Sequence, residues 1–342
     1  MNVPVGINGF GRVGRAFLRA ALERAGSTGG LTEVVAVNDI APPGTLAHLL
    51  EYDSTYGRLG RAVSHDDRSI TVDGHRIAVT AHRDPAALDW SGCGADVVVE
   101  STGRFRTREA AATHLKSGAR KVLISAPGKE ADATLVMGVN EDTYDATRHD
   151  VVSAASCTTN CVVPMVSVLH QRFGIDKGLM TTIHGYTNDQ ALLDGPHKDL
   201  RRARSAALSI IPTSTGAARA VGLVVPELDG ALDGLAVRVP VEDGSLTDLT
   251  VLLRETADVQ QINTAFAEAA DGRLRGILRV ATAPIVSRDV IGDPASCVFD
   301  PALTQAHGGL VKVFGWYDNE WGYANRLLDL TAHLAAPLSA DR

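Results

Sequence analysis

Two clusters in this 342-residue chain have residue types and spacing that could do chemistry. Ser156-Cys157-Thr158-Thr159-Asn160 follows an apolar run ending at Ala155 and opens a segment of helical pattern. A cysteine at a helix start sits near backbone N–H groups without intrahelical partners and near the positive end of the dipole, which favours thiolate over thiol. A thiolate is a strong nucleophile, particularly beside an imidazole that can take its proton. His184 ends the next apolar run, Thr181-Thr182-Ile183, so a helix followed by a returning strand could bring it to Cys157. Cys157 is therefore the expected nucleophile and His184 its base. Cys161, one helical turn on, is expected in the core. No metal site is expected, because Cys157 and Cys161 lack CxxC spacing and no second Cys/His pair follows.

The second cluster is Gly9-Phe10-Gly11-Arg12-Val13-Gly14, after a strand pattern and before a helical one. Glycine lets backbone turn tightly and approach a pyrophosphate whose charge then sits at a helix N-terminus. The next strand ends at Asn38-Asp39, close to the ~20-residue spacing of a ribose-binding acid. A carboxylate there accepts from a 2′-hydroxyl and repels a 2′-phosphate, so NAD is expected over NADP.

These clusters need elements to hold them. The first half alternates short apolar runs with helical patterns, as parallel strands joined by crossover helices do. Strands are expected at Val3–Ile7, Glu33–Asn38, Asp96–Glu100, Lys121–Ser125, Leu135–Val139 and Val151–Ala154. Helices are expected at Arg12–Arg24, closed by Gly26, and around Arg108–Lys116. After about residue 156 longer alternating runs, Gly178–His184, Leu235–Val241 and Leu246–Arg254, read as antiparallel strands with one packed face. Further helices are expected at Thr158–Phe173, Gly216–Val224, Asp258–Ala270 and Glu320–Leu334. Thr187–Ser209 is too polar and irregular for a core element and is expected to be a functional loop.

Composition agrees with a globular protein of two domains: 45% hydrophobic and 21% charged residues. The 33 basic and 40 acidic side chains, net charge −7, argue against binding a phosphate backbone. Four cysteines (Cys93, Cys157, Cys161, Cys297) make no disulfide framework, and no run approaches the ~18 apolar residues of a membrane span. A cytoplasmic location, with no membrane or nucleic-acid partner, is the expectation.

Taken together, Gly9–Arg15, Asn38-Asp39, Ser101-Thr102-Gly103-Arg104-Phe105, Ala155–Asn160, Thr187-Asn188-Asp189-Gln190, His197–Arg202, Pro212–Ala217, Val237–Pro240 and Trp316–Gly322 resemble phosphorylating, NAD-dependent glyceraldehyde-3-phosphate dehydrogenases over nearly the whole chain. The resemblance implies an α/β fold: an N-terminal Rossmann domain with a doubly wound parallel sheet (1–156, with the C-terminal helix, 319–342) and an α+β catalytic and tetramerisation domain with a mostly antiparallel sheet (157–318). It implies oxidation of D-glyceraldehyde 3-phosphate with phosphate and NAD to 1,3-bisphosphoglycerate, a step of glycolysis and gluconeogenesis, through a Cys157 thiohemiacetal and thioester, in a homotetramer.

By position in the resembling motifs, Thr187, Asp189 and Arg238 would surround the substrate phosphate, Asp189 as organiser of the arginine. Ser156, Thr158, Thr215, Gly216 and Arg202 would hold inorganic phosphate, while Arg201 and Arg204 would make subunit contacts. For the cofactor, Gly9, Gly11, Arg12, Val13 and Gly14 would meet the pyrophosphate and Asp39 the adenosine ribose. Asn319 would meet the carboxamide, and Ser125 and backbone near Thr102 and Gly103 would line the nicotinamide pocket. Pro196 resembles the NAD-type pattern. Gly185, where serine or alanine is usual, and Val241-Glu242-Asp243-Gly244-Ser245 depart from the family and suggest an accessory isozyme with altered sensitivity to inhibitors aimed at Cys157. The alternatives are an erythrose-4-phosphate dehydrogenase, or a non-catalytic NAD-binding redox sensor.

Overall fold

The computed structural model describes residues 3–25 and 32–339. The chain divides into two compact units, Met1–Leu135 with Glu141–Ala155 and Ala324–Arg342, and Val136–Asn140 with Ser156–Tyr323. The first unit thus resumes at Ala324 rather than at residue 319.

The first unit is built on a sheet whose described strands run in the order Ala133–Thr134, Val151–Ser153, Lys121–Ile124, Val97–Glu100, Val3–Asn8, Thr32–Asn38, His75–Thr80, Ser69–Val72, Val63–Asp66. All pairings as far as His75–Thr80 are parallel, and the last two strands close the edge as an antiparallel meander. Val97, Val98 and Val99 are all fully buried, as a parallel strand covered on both faces requires. Helix Arg12–Arg24 follows the first strand directly, and Gly26 lies outside the described residues. The turn between them needs its glycines. Gly9 adopts φ +93°, and a Cβ on Gly14 would lie 2.4 Å from the Gly9 carbonyl oxygen.

Two expected elements fail here. The helix expected at Arg108–Lys116 is two single turns, Arg108–Ala111 and Thr113–Lys116, because the chain resets at Ala112. Leu135–Val139 is not a strand. Pairing stops after Ala133–Thr134, the side chain of Asn140 accepts from the Val136 N–H, and Gly138 turns at φ +81° into the second unit.

The second unit carries a mixed sheet in the order Ile211–Ser214, Leu232–Val239, Ile175–Gly185, Ser245–Leu253, Leu310–Tyr317, Cys297–Phe299, Leu278–Val280, with Gln305–His307 added beside Leu310–Tyr317. Most pairings are antiparallel, but Ile175–Gly185 runs parallel to Leu232–Val239, which sets His184 directly opposite Arg238. Ser245–Leu253 alternates buried and half-buried residues, and its buried face meets helix Cys157–Phe173. Helix Val259–Asp271 starts at a capping box made by Asp258 and Gln261. Only Val221–Val224 of the helix expected at Gly216–Val224 forms; Gly216 to Ala220 is a turn, and Pro226 opens the next. The final helix is Trp321–Ala335.

Gly14→Ala forces a methyl group into the Gly9 carbonyl, so it should lower stability by ~1–3 kcal/mol, the cost of overpacking. An unchanged urea midpoint would refute the close approach.

Candidate active site

The chain leaves strand Val151–Ser153 and reaches Ala155, a buried non-glycine residue in the left-handed region at φ +56°. Ser156 is then extended and caps the helix, its hydroxyl accepting from the Thr159 N–H at 3.0 Å. Cys157 is therefore the first helical residue. His184 stands at the end of its strand with Nε2 3.5 Å from the Cys157 sulfur. Its Nδ1 lies 2.7 Å from the Gly185 carbonyl oxygen, and Arg238 Nη1 lies 2.9 Å from the same nitrogen. The tautomer a base needs has Nδ1–H donating to the Gly185 carbonyl, which Arg238 also reaches at 3.0 Å; the guanidinium then serves that carbonyl rather than the ring nitrogen, and the Nε2 lone pair faces the thiol. The ring of Tyr317 meets His184 edge-on at 6.0 Å, and its hydroxyl lies 2.9 Å from Thr158 Oγ1 and 2.8 Å from Thr182 Oγ1.

Burial governs the charge of the pair. It pushes the Cys157 thiol up to about 11, against the pull of Arg238 and of Thr158 at the helix start. Burial thus works against the helix terminus and the guanidinium, which both favour the thiolate. Burial, and next the Arg238 charge, push His184 down to about 3, so the imidazole rests neutral and ready to accept. A neutral buried histidine whose folded value lies below 6.5 contributes stability above that pH, lost as pH falls from 6.5 toward about 3.

The two arginines form one network. Arg238 Nη1 donates to the Gly185 carbonyl at 3.0 Å and to Thr187 Oγ1 at 3.1 Å. Thr187 in turn donates its hydroxyl to Asp189, and Asp189 receives Arg202 Nη1 at 2.5 Å. Asp189 therefore organises Arg202 directly and Arg238 only through Thr187, where the sequence pointed to one arginine. Burial raises the Asp189 carboxyl, but Thr187 and the charges of Arg238 and Arg202 hold it below its ordinary value. Arg202 also donates to Thr213 Oγ1 at 2.9 Å, and Thr213 to Asp199. Arg238 Nε, closed off from solvent, has no partner among the described residues. Of the residues expected to hold inorganic phosphate, Ser156 accepts with its hydroxyl in the helix cap, and Thr158 Oγ1 bonds the Tyr317 hydroxyl. Thr215 accepts from the Ala217 N–H, and Gly216 is exposed with open space beside it. Arg204 pairs with Asp194 on the surface, and the Arg201 N–H donates to Asp199.

In the first unit, Asn8, Gly9, Gly11, Asn38, Asp39, Thr102 and their neighbours line a cavity of about 230 Å³. Asp39 accepts from the Phe10 and Ala41 N–H groups at 2.8 and 3.0 Å, which fixes its carboxylate at the rim. The cradle fits a dinucleotide: a Cβ on Gly9 would strike the Thr102 backbone at 2.7 Å, whereas nothing lies within 4 Å of one on Gly11 at the helix start. Thr102, expected near the nicotinamide, lines the same cavity as Asp39. Arg12 has its guanidinium held by Asp53 at 3.2 Å, so at the helix start it and Val13 offer backbone. Ser125 donates to the Glu100 carbonyl at 2.9 Å. In the second unit Asn319 is buried; its side-chain oxygen accepts from Ser245 at 2.5 Å and its N–H donates to Asp243 at 3.1 Å. Pro196 is exposed in the long loop.

Sequence reasoning missed Tyr317 beside His184, and marked Asp243 and Ser245 only as departures from the family pattern. Tyr317 had a usable signal, since the alternation through Leu310–Tyr317 puts its ring on the buried face.

The nucleotide cradle and the buried cysteine–imidazole pair define a dinucleotide-dependent oxidoreductase that works through a thiol. Residues 3–108 match the family model described as glyceraldehyde 3-phosphate dehydrogenase, NAD binding domain, and residues 156–319 match that of its C-terminal domain. Curated relatives called glyceraldehyde-3-phosphate dehydrogenase are 56% identical in Streptomyces coelicolor, covering 99% of this chain and all of the relative, and 55% identical in Geobacillus stearothermophilus, covering 98% and 99%. A glyceraldehyde-3-phosphate dehydrogenase 2 of Streptomyces avermitilis is 55% identical over 99% of this chain and all of that relative. The chain belongs to the glyceraldehyde 3-phosphate dehydrogenase family, and NAD is its cofactor.

His184→Asn removes the proton acceptor, so the thiol must ionise against its raised value. Its alkylation by iodoacetamide should be slower at pH 7 and climb about tenfold per pH unit up to pH 10, while the native protein shows a flatter profile. Superimposable profiles would exclude His184 as the acceptor.

Proposed function

We propose that this enzyme oxidises D-glyceraldehyde 3-phosphate in the presence of inorganic phosphate to 1,3-bisphosphoglycerate, reducing NAD. The carrying observation is the 3.5 Å approach of Cys157 sulfur to the free face of a neutral His184.

Cys157 sulfur bonds to the aldehyde carbon while its proton passes through His184 to the carbonyl oxygen, giving a thiohemiacetal. N–H groups at the start of helix Cys157–Phe173 face the developing oxyanion, a contribution worth ~3 kcal/mol in comparable sites. Bound NAD supplies a hydride acceptor. As the hydride leaves the substrate carbon, His184 Nε2 takes the hydroxyl proton and Cys157 is left carrying a thioester. A phosphate oxygen then bonds to the thioester carbon, the carbon–sulfur bond breaks, and the departing thiolate recovers a proton from His184. Arg238 and Thr187 hold the substrate's own phosphate. Arg202, the Thr215–Gly216 turn and backbone of Ser156 and Thr158 receive the attacking one. Guanidinium and N–H donors suit both anions.

The neutral imidazole is what makes this order of events workable. Burial and the Arg238 charge hold His184 down at about 3, so acceptance of the hydroxyl proton needs no prior loss of its own.

The protein acts as a cytoplasmic homotetramer. Leu192, Leu193, Leu200, Leu208 and Ile210 stand open on the long loop, Leu200 and Leu208 more than 80% exposed, and such apolar area calls for a partner copy. The Gly185 and Val241–Ser245 departures fit an accessory isozyme.

Purified protein should reduce NAD but not NADP with D-glyceraldehyde 3-phosphate, only slowly without phosphate, and less well with erythrose 4-phosphate. Cys157→Ser should lose at least a thousandfold in rate while binding NAD as before; retained activity would refute the mechanism. Light scattering should give four times the 36.0 kDa chain mass, and a monomer would sink the assembly.

A further inference from the structure

Below the dinucleotide cavity lies a set of buried polar side chains that the proposed chemistry does not use. Three neighbouring parallel strands end on polar residues, Asn8, Asn38 and Glu100, each less than 5% exposed. Glu100 collects four donors. Its Oε2 receives Asn8 Nδ2 at 2.5 Å and lies 3.0 Å from His114 Nε2; its Oε1 receives the Thr102 N–H at 2.8 Å and the Thr102 hydroxyl at 2.5 Å. His114 is fully buried, and its other nitrogen receives the indole N–H of Trp90 at 3.0 Å. Indole nitrogen only donates, so His114 Nδ1 must accept and its proton must sit on Nε2, pointing at Glu100.

The chain of donors continues on the other side in the same direction. Asn8 accepts from Asn38 Nδ2 at 2.7 Å, and Asn38 accepts from the Thr80 hydroxyl and the His82 N–H, both at 2.9 Å. The bonds from Thr80 through Asn38 and Asn8 therefore run in line to one carboxylate, while Asn38 also donates to the His82 carbonyl at 2.9 Å; bonds aligned in this way polarise one another. The end of the line is the cavity wall. Thr102 presses on Gly9 of the glycine-rich turn, and Ser101 donates its hydroxyl to the Gly9 carbonyl at 2.6 Å. Asn8, Asn38 and Thr102 themselves line the cavity.

We propose that Glu100 is a positioning residue for NAD: as the common acceptor of Asn8, His114 and Thr102 it sets the wall of the dinucleotide cavity against Gly9, with Trp90 selecting the tautomer of His114. The inference rests on NAD as the cofactor. A glutamine has the same shape but turns one end into a donor, so it must oppose either Thr102 or the Asn8–His114 pair. A purely structural network would weaken folding without touching the ligand.

Calorimetric titration of the intact protein with NAD separates the two. Glu100→Gln should raise the Kd for NAD about tenfold, and steady-state rates should show KM for NAD raised in step, with KM for the aldehyde phosphate within twofold of native. Trp90→Phe should raise the Kd two- to threefold and make the His114 ring nitrogens show mixed tautomers by 15N NMR. Thr102→Val removes the hydroxyl that donates to Glu100 and accepts from the exposed Arg104 N–H, and keeps the test open if Glu100→Gln does not fold; it should raise the Kd about threefold. Variants with lowered melting temperature but native Kd for NAD overturn the proposal. Failure of the native protein to bind NAD would instead remove the cofactor assignment.

Discussion

The seating of half-buried Cys157 against buried His184 is the constraint on which the second unit depends. A thiol and an imidazole in water would sit near the ordinary values of 9.0 and 6.5; buried, they move apart, up to about 11 and down to about 3. Both shifts favour the neutral forms, which cost less than charges in a low-dielectric site. Transfer of one proton across 3.5 Å then creates both charges together, where each offsets the other. The arrangement depends on backbone. Ala155 must accept a left-handed conformation, at a cost of order 1 kcal/mol or more, so that Ser156 can cap the helix and Cys157 can open it.

Arg238 is the charge that links this pair to its surroundings. The parallel pairing of Ile175–Gly185 with Leu232–Val239 puts it opposite His184, and its Nη1 touches His184, Gly185 and Thr187 at once. The same guanidinium lowers both neighbours' pKa values, favouring neutral imidazole and easing ionisation of the thiol. Through Thr187 and Asp189 it is joined to Arg202, so the two arginines are spaced by a shared carboxylate that screens their mutual repulsion.

Legibility in the sequence followed the kind of interaction that decides each element. Where one strand or helix is settled by its own pattern, as in Val97–Glu100, Arg12–Arg24 or Cys157–Phe173, the structure falls within a residue of expectation. The glycine-rich turn and the Cys157–His184 approach were legible for the same reason: each depends on a local motif or one helix–strand return. Leu135–Val139 looked like a strand, but its apolar residues serve a turn whose Gly138 packs against Leu274 and Ile277 of the second unit. The pull of burial on Cys157 was not legible, because a sequence shows the helix start but not how far the site around it is closed. The Glu100 network was invisible because its members come from distant strands, and none forms a motif with its sequence neighbours.

The departures at Gly185 and Val241–Ser245 look independent in sequence, yet they meet. A Cβ on Gly185 would come within 3.1 Å of the Val241 carbonyl oxygen and 3.3 Å of Asp243 backbone, so the path of this segment is matched to the missing side chain. Backbone bonds tie them further: the Tyr186 N–H donates to Val241 at 3.0 Å, and the Gly185 N–H to Ser245 Oγ at 3.2 Å. Ser245 and the buried Asp243 then hold Asn319. Asp243 also places a carboxylate whose charge raises the Cys157 thiol. Gly185, Asp243, Ser245 and Asn319 thus behave as one bonded unit reaching from the residue after His184 to the Asn319 amide. A change at any one of them alters the seat of the others, which explains how two unusual segments coexist with an unaltered cysteine, histidine and pair of arginines.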